Sequence, residues 1–417
     1  MKREEHRDDR RDKLIDNHID IPAEDDRDES QLTGRKAAEY NKQHVIRHRK
    51  RVRTKILCAL GILLALLAIL AVIAVILVNV WRSTGRASLL HHAQGNSTNA
   101  AQNMQSVANE KNDNAADSET QEAEESYELQ EGQIRYNGKT YQYKDNLMNI
   151  LCLGIDSRDG IAKEKTPGKA GQADCVILAV LDDEAKTIQL INISRDSMVP
   201  VHVYATDGSY VEDRTEQLAL QYAYGNGRDW SCQLMEETVS ELLYGLPIHG
   251  YCALSMNSIA SLNDAVGGVT VTVPEELAEL KPKLFTAGET ITLKGNRANE
   301  FVRARAVNSP DVASNNKRIA RQKAYAVAFV NQLKQGMKED MTLPVKLYQT
   351  AEKQMVTSLS LDQAVYLCTE YMNCSFDTDN IYTIDGAVTM GEKYAEFNVD
   401  DDALYQLILD VFYEEVN

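Results

Sequence analysis

Apolar and polar positions along this chain fall into distinct regimes. Residues 1–55 are charged, of mixed sign and poor in large apolar side chains, which predicts a disordered tail that cannot bury enough surface to fold. From Ile56 to Val78 the pattern inverts, and no residue carries a charge or a strong polar group. Roughly 20 such residues in a helix cross the hydrocarbon core of a bilayer, so residues 56–81 read as a transmembrane helix with Trp81 at the interface. The run is too long and begins too late for the apolar part of a cleaved signal. Six Lys/Arg lie between Arg47 and Lys55, against Arg82 and Arg86 on the other flank. That asymmetry predicts a single-pass protein in the cell membrane, with the N-terminus cytoplasmic and the larger C-terminal part outside. Residues 82–132 are rich in Asn, Gln, Ser, Ala and Glu, and nine acidic residues face one Lys between Glu110 and Glu131. This predicts a solvated, self-repelling extracytoplasmic linker.

Globular patterning begins at residue 133 and runs to 417. Ile134–Tyr143 alternates about Asn137-Gly138, the pair that predicts a two-residue hairpin turn. Asn149–Gly154, Asp174–Leu181 and Ile188–Ile193 are short continuous apolar runs of buried-strand type, and Val269–Val273 follows a Gly-Gly turn as another strand. Helices are expected near 214–224, 231–244, 255–265, 316–335 and 401–415, and Ser360 with Gln363 has capping-box spacing for a helix reaching about Met372. Strands alternating with helices on this scale predict an α/β layered domain, with helices on both faces of a mostly parallel or mixed sheet.

Charge changes the picture next. The formal net charge is -17. With no basic excess to neutralise a phosphate backbone, nucleic acid is not an expected partner, and the basic run beside the apolar helix suits anionic membrane lipid instead. Any phosphate must be held by a local cluster of cations. The chain lacks a P-loop, a G-x-G-x-x-G, a G-x-S-x-G and an H-E-x-x-H, and His202 and His249 are isolated in the sequence. Seven Cys include no C-x-x-C pair; Cys368 with Cys374 and Cys232 with Cys252 are candidate disulfides, with separate thiols the alternative.

Four places at expected strand or helix ends carry usable chemistry. Asp156 follows the first buried strand and suits a divalent cation, and Arg158 beside it suits a phosphate. Asp174 stands at the mouth of the next strand, where it and Asp156 are placed to share one Mg²⁺. Arg195 and Asp196 follow the third: Arg195 as a phosphate clamp, Asp196 either as its orienting partner or as the base for an incoming hydroxyl. Last come Arg303 and Arg305, which project to one side if the backbone there is extended, and Arg318 with Gln322, four apart on one helix face, with Arg321 next to it. Each also has a plain reading as a cap, a surface ion pair or a solvated basic face, but arginine concentrated in so acidic a domain asks for a reason.

The ordered motifs N-I-L-x-L-G-x-D-x-R, A-D, I-S-R-D-S, D-A-V-G-G-V-T-V-x-V-P, L-x-G-x-x-A-x-x-F-V-R-A-R and K-R-I-A-R-Q, spread over about Asn149 to Leu333, resemble the LytR-CpsA-Psr family of bacterial cell-wall proteins. The resemblance implies a three-layer α/β/α sandwich with a central mixed sheet and a polyprenyl-(pyro)phosphate pocket. It also implies a Mg²⁺-dependent phosphotransferase that joins a glycopolymer, of teichoic acid or capsular type, to peptidoglycan. On this footing Asp156 and Asp174 match metal-binding aspartates; Arg158, Arg195, Arg303, Arg305 and Arg318 match phosphate-binding arginines; and Gln322 matches the polar residue beside them. Asn315 stands where the family usually has Asp. The expected catalytic group is therefore Asp156, Asp196, Arg195, Arg303 and Arg305. Two rivals remain open: a module that only binds polyprenyl phosphate or regulates the envelope, and a pyrophosphate hydrolase.

Overall fold

The computed structural model describes residues 84–90, 93, 97–115, 129–157, 161–164, 166–305, 312–391 and 394–416. The expected tail and transmembrane run lie outside these residues. Among the described residues no helix is long and apolar enough to cross a membrane.

The chain enters as helix α1 (Ser97–Ala115), then the hairpin β1 (Gln133–Tyr136) and β2 (Lys139–Tyr143). Its turn residues Asn137 and Gly138 both have positive φ, 50° and 74°, the conformation the Asn-Gly pair tolerates best. There follow β3 (Leu147–Ile155), β4 (Ala173–Asp182), β5 (Thr187–Ile193), and a ribbon of β6 (Met198–Tyr204) and β7 (Tyr210–Gln217). Helix α2 (Asp229–Leu242), β8 (Gly250–Ser255) and α3 (Ser258–Ala265) lead to a small layer: β9 (Thr270–Thr272), α4 (Glu275–Leu280), β10 (Thr290–Thr292) and α5 (Asn296–Arg303). The long helix α6 (Val312–Glu339), α7 (Leu343–Ala351), β11 (Met355–Thr357), α8 (Leu361–Glu370), β12 (Ile381–Thr383), the pair β13 (Gly386–Met390) and β14 (Ala395–Val399), α9 (Asp401–Phe412) and β15 (Tyr413–Val416) complete the order. The capping box at Ser360 and Gln363 forms as expected.

The centre is a mixed six-stranded sheet in the order β11-β8-β3-β4-β5-β12. Strand β3 pairs antiparallel with β4 and parallel with β8. Alternate residues of these strands point to opposite sides. On one side Leu151, Leu153, Ile155, Val176, Leu178 and Ile191 pack with Met235 and Val239 of α2 and Leu404, Ile408 and Phe412 of α9. On the other, Met148 and Ile150 meet Leu89 and Tyr366 of α8. A separate core of Val269, Val271, Leu277, Phe285, Leu293 and Phe301 holds the β9–α5 layer together and against α6. The mixed α/β expectation holds, with helices on both faces.

Several expectations need correction. The acidic linker is not solvated throughout. In α1, Ala100, Met104 and Ala108 are buried in the main core, and residues 84–90 are helical with Leu89 buried. Alanines let this otherwise polar helix lie close to the hairpin, so its small apolar stripe escaped a reading of composition. Residues 214–217 are strand, not helix: they pair with Met198–Val201 of β6, and only 218–224 coil into a 3₁₀ turn. Cross-strand pairing overrides local propensity there. The expected final helix stops at Phe412, and Tyr413–Val416 pairs with β2 instead. The cysteines within the described residues are all free thiols.

Candidate functional site

The ends of β3, β4 and β5 and of α5 place the predicted polar residues together. Asp156 follows the last residue of β3. Across from it the β3–β4 register slips: Gly154 faces Cys175 and Ile155 faces Ala173, leaving Asp174 unpaired in a β-bulge. Bulges re-aim a side chain beside a site, and here the extra residue is the acidic one. Arg195 lies just past β5, and its Nη1 donates to Asp174. Arg195 Nε lies 3.4 Å from Asp196 Oδ1. Gln217 Nε2 donates to that same oxygen at 3.0 Å. Burial raises the pKa of Asp196, and the Asp174 charge adds to this while Arg195 and Arg318 oppose it. Through Oδ1, Asp196 is in place to orient Arg195.

Arg303 approaches from the small layer and donates from Nη2 to Asp156 Oδ1 at 3.1 Å. Both groups are well exposed, so the pair adds only about 0–1 kcal/mol to stability. Such an arrangement serves a ligand better than it serves the fold. The backbone at Arg303 is not extended as expected: Phe301–Arg303 close helix α5, and Ala304 turns out of it at φ -55°, ψ 132°. Arg303 and Arg305 therefore reach the site from a helix end, not from one face of a strand.

That helix end is held by two residues of α6. Arg321, 3% exposed, donates to the carbonyls of Phe301 and Ala304 and, from Nη1, to Glu276 Oε1 at 2.9 Å. Gln322 Nε2 donates to the Val302 carbonyl at 3.3 Å. The last carbonyls of a helix lack intrahelical donors, and these side chains supply them. Arg321 was not among the predicted site residues. Its spacing one residue off the Arg318/Gln322 face was visible, but its burial was not. Arg318 itself sits near the others: burial lowers its pKa, and the charges of Arg305, Arg195 and Arg321 lower it further against a counter-effect from Asp174. Arg158 and the Asn315 side chain lie outside what the structure describes.

Two further features adjoin these groups. An open polar cleft of about 320 Å³ runs past Arg303 and Arg305, lined also by Asn257, Asn296, Asn299 and Lys281. None of these amides was singled out in the sequence, where neutral polar residues carry no charge signal. Beneath Asp174, the thiols of Cys152, Cys175 and Cys252 share one face of neighbouring strands. Burial pushes Cys175 up to about 11 and Cys252 up to about 12, and Cys152 up as well. All three are partly accessible free thiols. Lys323 and Lys334 of α6 donate to the carbonyls of Ile381 and Cys374, joining α6 to the segment that leads into β12.

Among the described residues, the side-chain partners of His202 and His249 are carboxylates and a backbone amide. His249 Nδ1 accepts from the Asn149 amide at 3.0 Å, and burial brings it down to about 4, a neutral structural ring.

The LytR_cpsA_psr family model matches residues 98–408. The chain belongs to the LytR-CpsA-Psr family. The match takes in helix α1, consistent with its burial. Among curated relatives of this LytR-CpsA-Psr protein, the polyisoprenyl-teichoic acid–peptidoglycan teichoic acid transferase TagU of Oceanobacillus iheyensis is 29% identical over 237 residues, 55% of this chain and 64% of that protein. Biofilm regulatory protein A of Streptococcus mutans is 28% identical over 174 residues, 40% of each. The chain thus spans under two thirds of the length of either. A solved structure of TagT bound to LI-WTA is 20% identical, covering 64% of this chain and 90% of that one at a TM-score of 0.48.

Proposed function

We propose that this protein transfers a glycopolymer, of teichoic acid or capsular type, from a polyprenyl-pyrophosphate carrier to peptidoglycan. One observation carries the reading: Asp156, Asp174, Arg195, Arg303, Arg305 and Arg318 converge from separate strand and helix ends in an acidic chain. TagU of O. iheyensis, similar over 237 residues, is named a polyisoprenyl-teichoic acid–peptidoglycan teichoic acid transferase.

Phosphoryl transfer asks a protein mainly for positioning and charge neutralisation. The acceptor hydroxyl oxygen bonds to the phosphorus that carries the glycan. The bond from that phosphorus to the bridging oxygen breaks, and polyprenyl phosphate leaves with the electron pair. The hydroxyl proton goes to Asp196, or to Asp156 when that carboxylate is free of the cation. Arg195, Arg303, Arg305 and Arg318 hold the diphosphate oxygens and spread the charge that grows on them. Arg158, as the motif implies, joins them.

Asp156 and Asp174 form an all-oxygen donor set on neighbouring strand ends, which fits Mg²⁺, an ion that takes one or two carboxylates and completes its shell with water and phosphate oxygens. Bound there, Mg²⁺ would offset the diphosphate charge. A prenyl tail bound against apolar surface near the site would add roughly 0.8 kcal/mol per buried CH₂. The amides of the polar cleft suit sugar hydroxyls. The Ile56–Val78 run anchors the chain in the membrane where such a carrier resides.

The test uses the full chain in detergent with a polyprenyl-pyrophosphate oligosaccharide and peptidoglycan fragments, with Mg²⁺ or with EDTA, and mass spectrometry of products. A phosphodiester-linked adduct formed only with Mg²⁺ is expected. Bound lipid without turnover would replace the transferase with a binding or regulatory module, and free glycan phosphate without adduct would replace it with a hydrolase.

A further inference from the structure

Away from the arginine site, the β6–β7 ribbon and helix α2 assemble three side chains that glycan transfer does not use. His202, on β6, is fixed at its backbone. Its N–H donates to Gln221 Oε1 at 2.7 Å, and Gln221 Nε2 donates to its carbonyl at 3.3 Å. The buried Gln221 also accepts from Thr238 Oγ1 at 3.1 Å, tying the strand to α2 beside Glu237. The imidazole is fixed too. Its Nδ1 lies 2.7 Å from Oδ1 of Asp213, the residue paired with it across the ribbon. A carboxylate there makes Nδ1 the protonated nitrogen of a neutral ring and leaves the lone pair on Nε2. Nε2 is enclosed and has no hydrogen-bond partner among the described residues.

Nε2 faces Glu237 and Glu241, one turn apart on α2. It lies 3.7 Å from Glu241 Oε2, and one ligand atom from each of the three residues lies within 4.8 Å of the others. A tetrahedral cation with bonds of about 2.1 Å has ligand–ligand edges of about 3.4 Å. The His202–Glu241 separation is already near that edge, and Glu241 is exposed enough to close further. Two glutamates on one helix face repel each other unless a cation lies between them.

We propose that His202 Nε2, Glu237 and Glu241 bind a divalent transition cation of the zinc class, with Asp213 as the outer acceptor that sets the imidazole tautomer. The carboxylate–imidazole–cation order is the arrangement that orients a ligating histidine, and an imidazole in the set selects zinc-class ions over Mg²⁺ or Ca²⁺. The bound cation fastens the ribbon to α2. That ribbon begins two residues after Asp196 and ends at Gln217, which donates to Asp196, so the cation braces the segment that aligns Arg195.

The full chain, purified in detergent and stripped of metal, is titrated with Co²⁺ while its visible spectrum is recorded, then with Zn²⁺ while its melting temperature is measured. One equivalent of Co²⁺ is expected to give the absorption bands of a four- or five-coordinate nitrogen–oxygen site, displaced by Zn²⁺ and not by excess Mg²⁺. Zn²⁺ is expected to raise the melting temperature. His202→Gln and Glu241→Gln abolish both responses, and Asp207→Asn at the ribbon turn leaves them intact. Glu241 is at the surface, so its variant keeps the test valid if His202→Gln fails to fold. Unchanged bands in Glu241→Gln, displacement by Mg²⁺, or no saturable band at millimolar Co²⁺ would each overturn the site.

Discussion

Charge burial separates the residues that build this site from those that work in it. Arg303 and Asp156 are exposed, and Arg303→Ala is expected to leave the melting temperature within about a degree while lowering transfer at least about 10²-fold; Arg305→Ala should behave alike. Retained transfer in both variants would remove the proposed mechanism. Arg321→Met should do the reverse in emphasis. It strips donors from two carbonyls and leaves Glu276 without its cation, so a stability loss of about 3–5 kcal/mol is expected in a denaturant titration, with weakened transfer as a consequence of a displaced α5 end. Glu236 offers a test of buried charge elsewhere. Burial raises it from the usual 4.5 to about 8, and one of its oxygens has no partner among the described residues. The folded chain keeps this proton and the unfolded chain gives it up, so stability is fully present below pH 4.5 and is lost as pH rises towards 8. Glu236→Gln should therefore stabilise the protein by about 3 kcal/mol at pH 7 and by almost nothing near pH 4.5, as read from denaturation midpoints at the two pH values.

Among the elements, α1 departs furthest from what composition suggested. Its polar residues outnumber its apolar ones, yet Met104 is fully buried. Met104→Ala should cost about 2–5 kcal/mol by chemical denaturation; a solvated linker would show no change. The strand ends tell a complementary story. The buried runs of β3, β4 and β5 were readable because a strand enclosed on both faces needs unbroken apolar residues, and the polar residue at one end of each run was readable as a site candidate for the same reason. The bulge that turns Asp174 out, and the pairing that makes 214–217 a strand, were not readable, because each depends on a partner strand distant in sequence. Arg303 and Arg305 were found for their residue type, but their delivery by a helix end required the small β9–α5 layer to be in place.

For the whole molecule, the boundary of the folded unit shifts towards the N-terminus. Removing residues 1–83 should leave the melting temperature of the rest nearly unchanged. Removing residues 1–132 takes away α1 and buried Leu89, and should lower it by about 5–10 °C or cause aggregation, as scanning calorimetry would show.

The sequence by itself determined the order of the parts, because apolar runs, turn pairs and capping residues act over a few positions each. It also nominated candidates for the site, since Asp and Arg at the ends of buried strands are costly to place without a use. Tertiary structure alone decided which of those side chains meet, that Asp196 holds Arg195, that Arg321 holds the end of α5, and that an alanine-striped helix belongs to the core. Each of these rests on contacts between segments far apart in the chain, whose geometry no local pattern encodes.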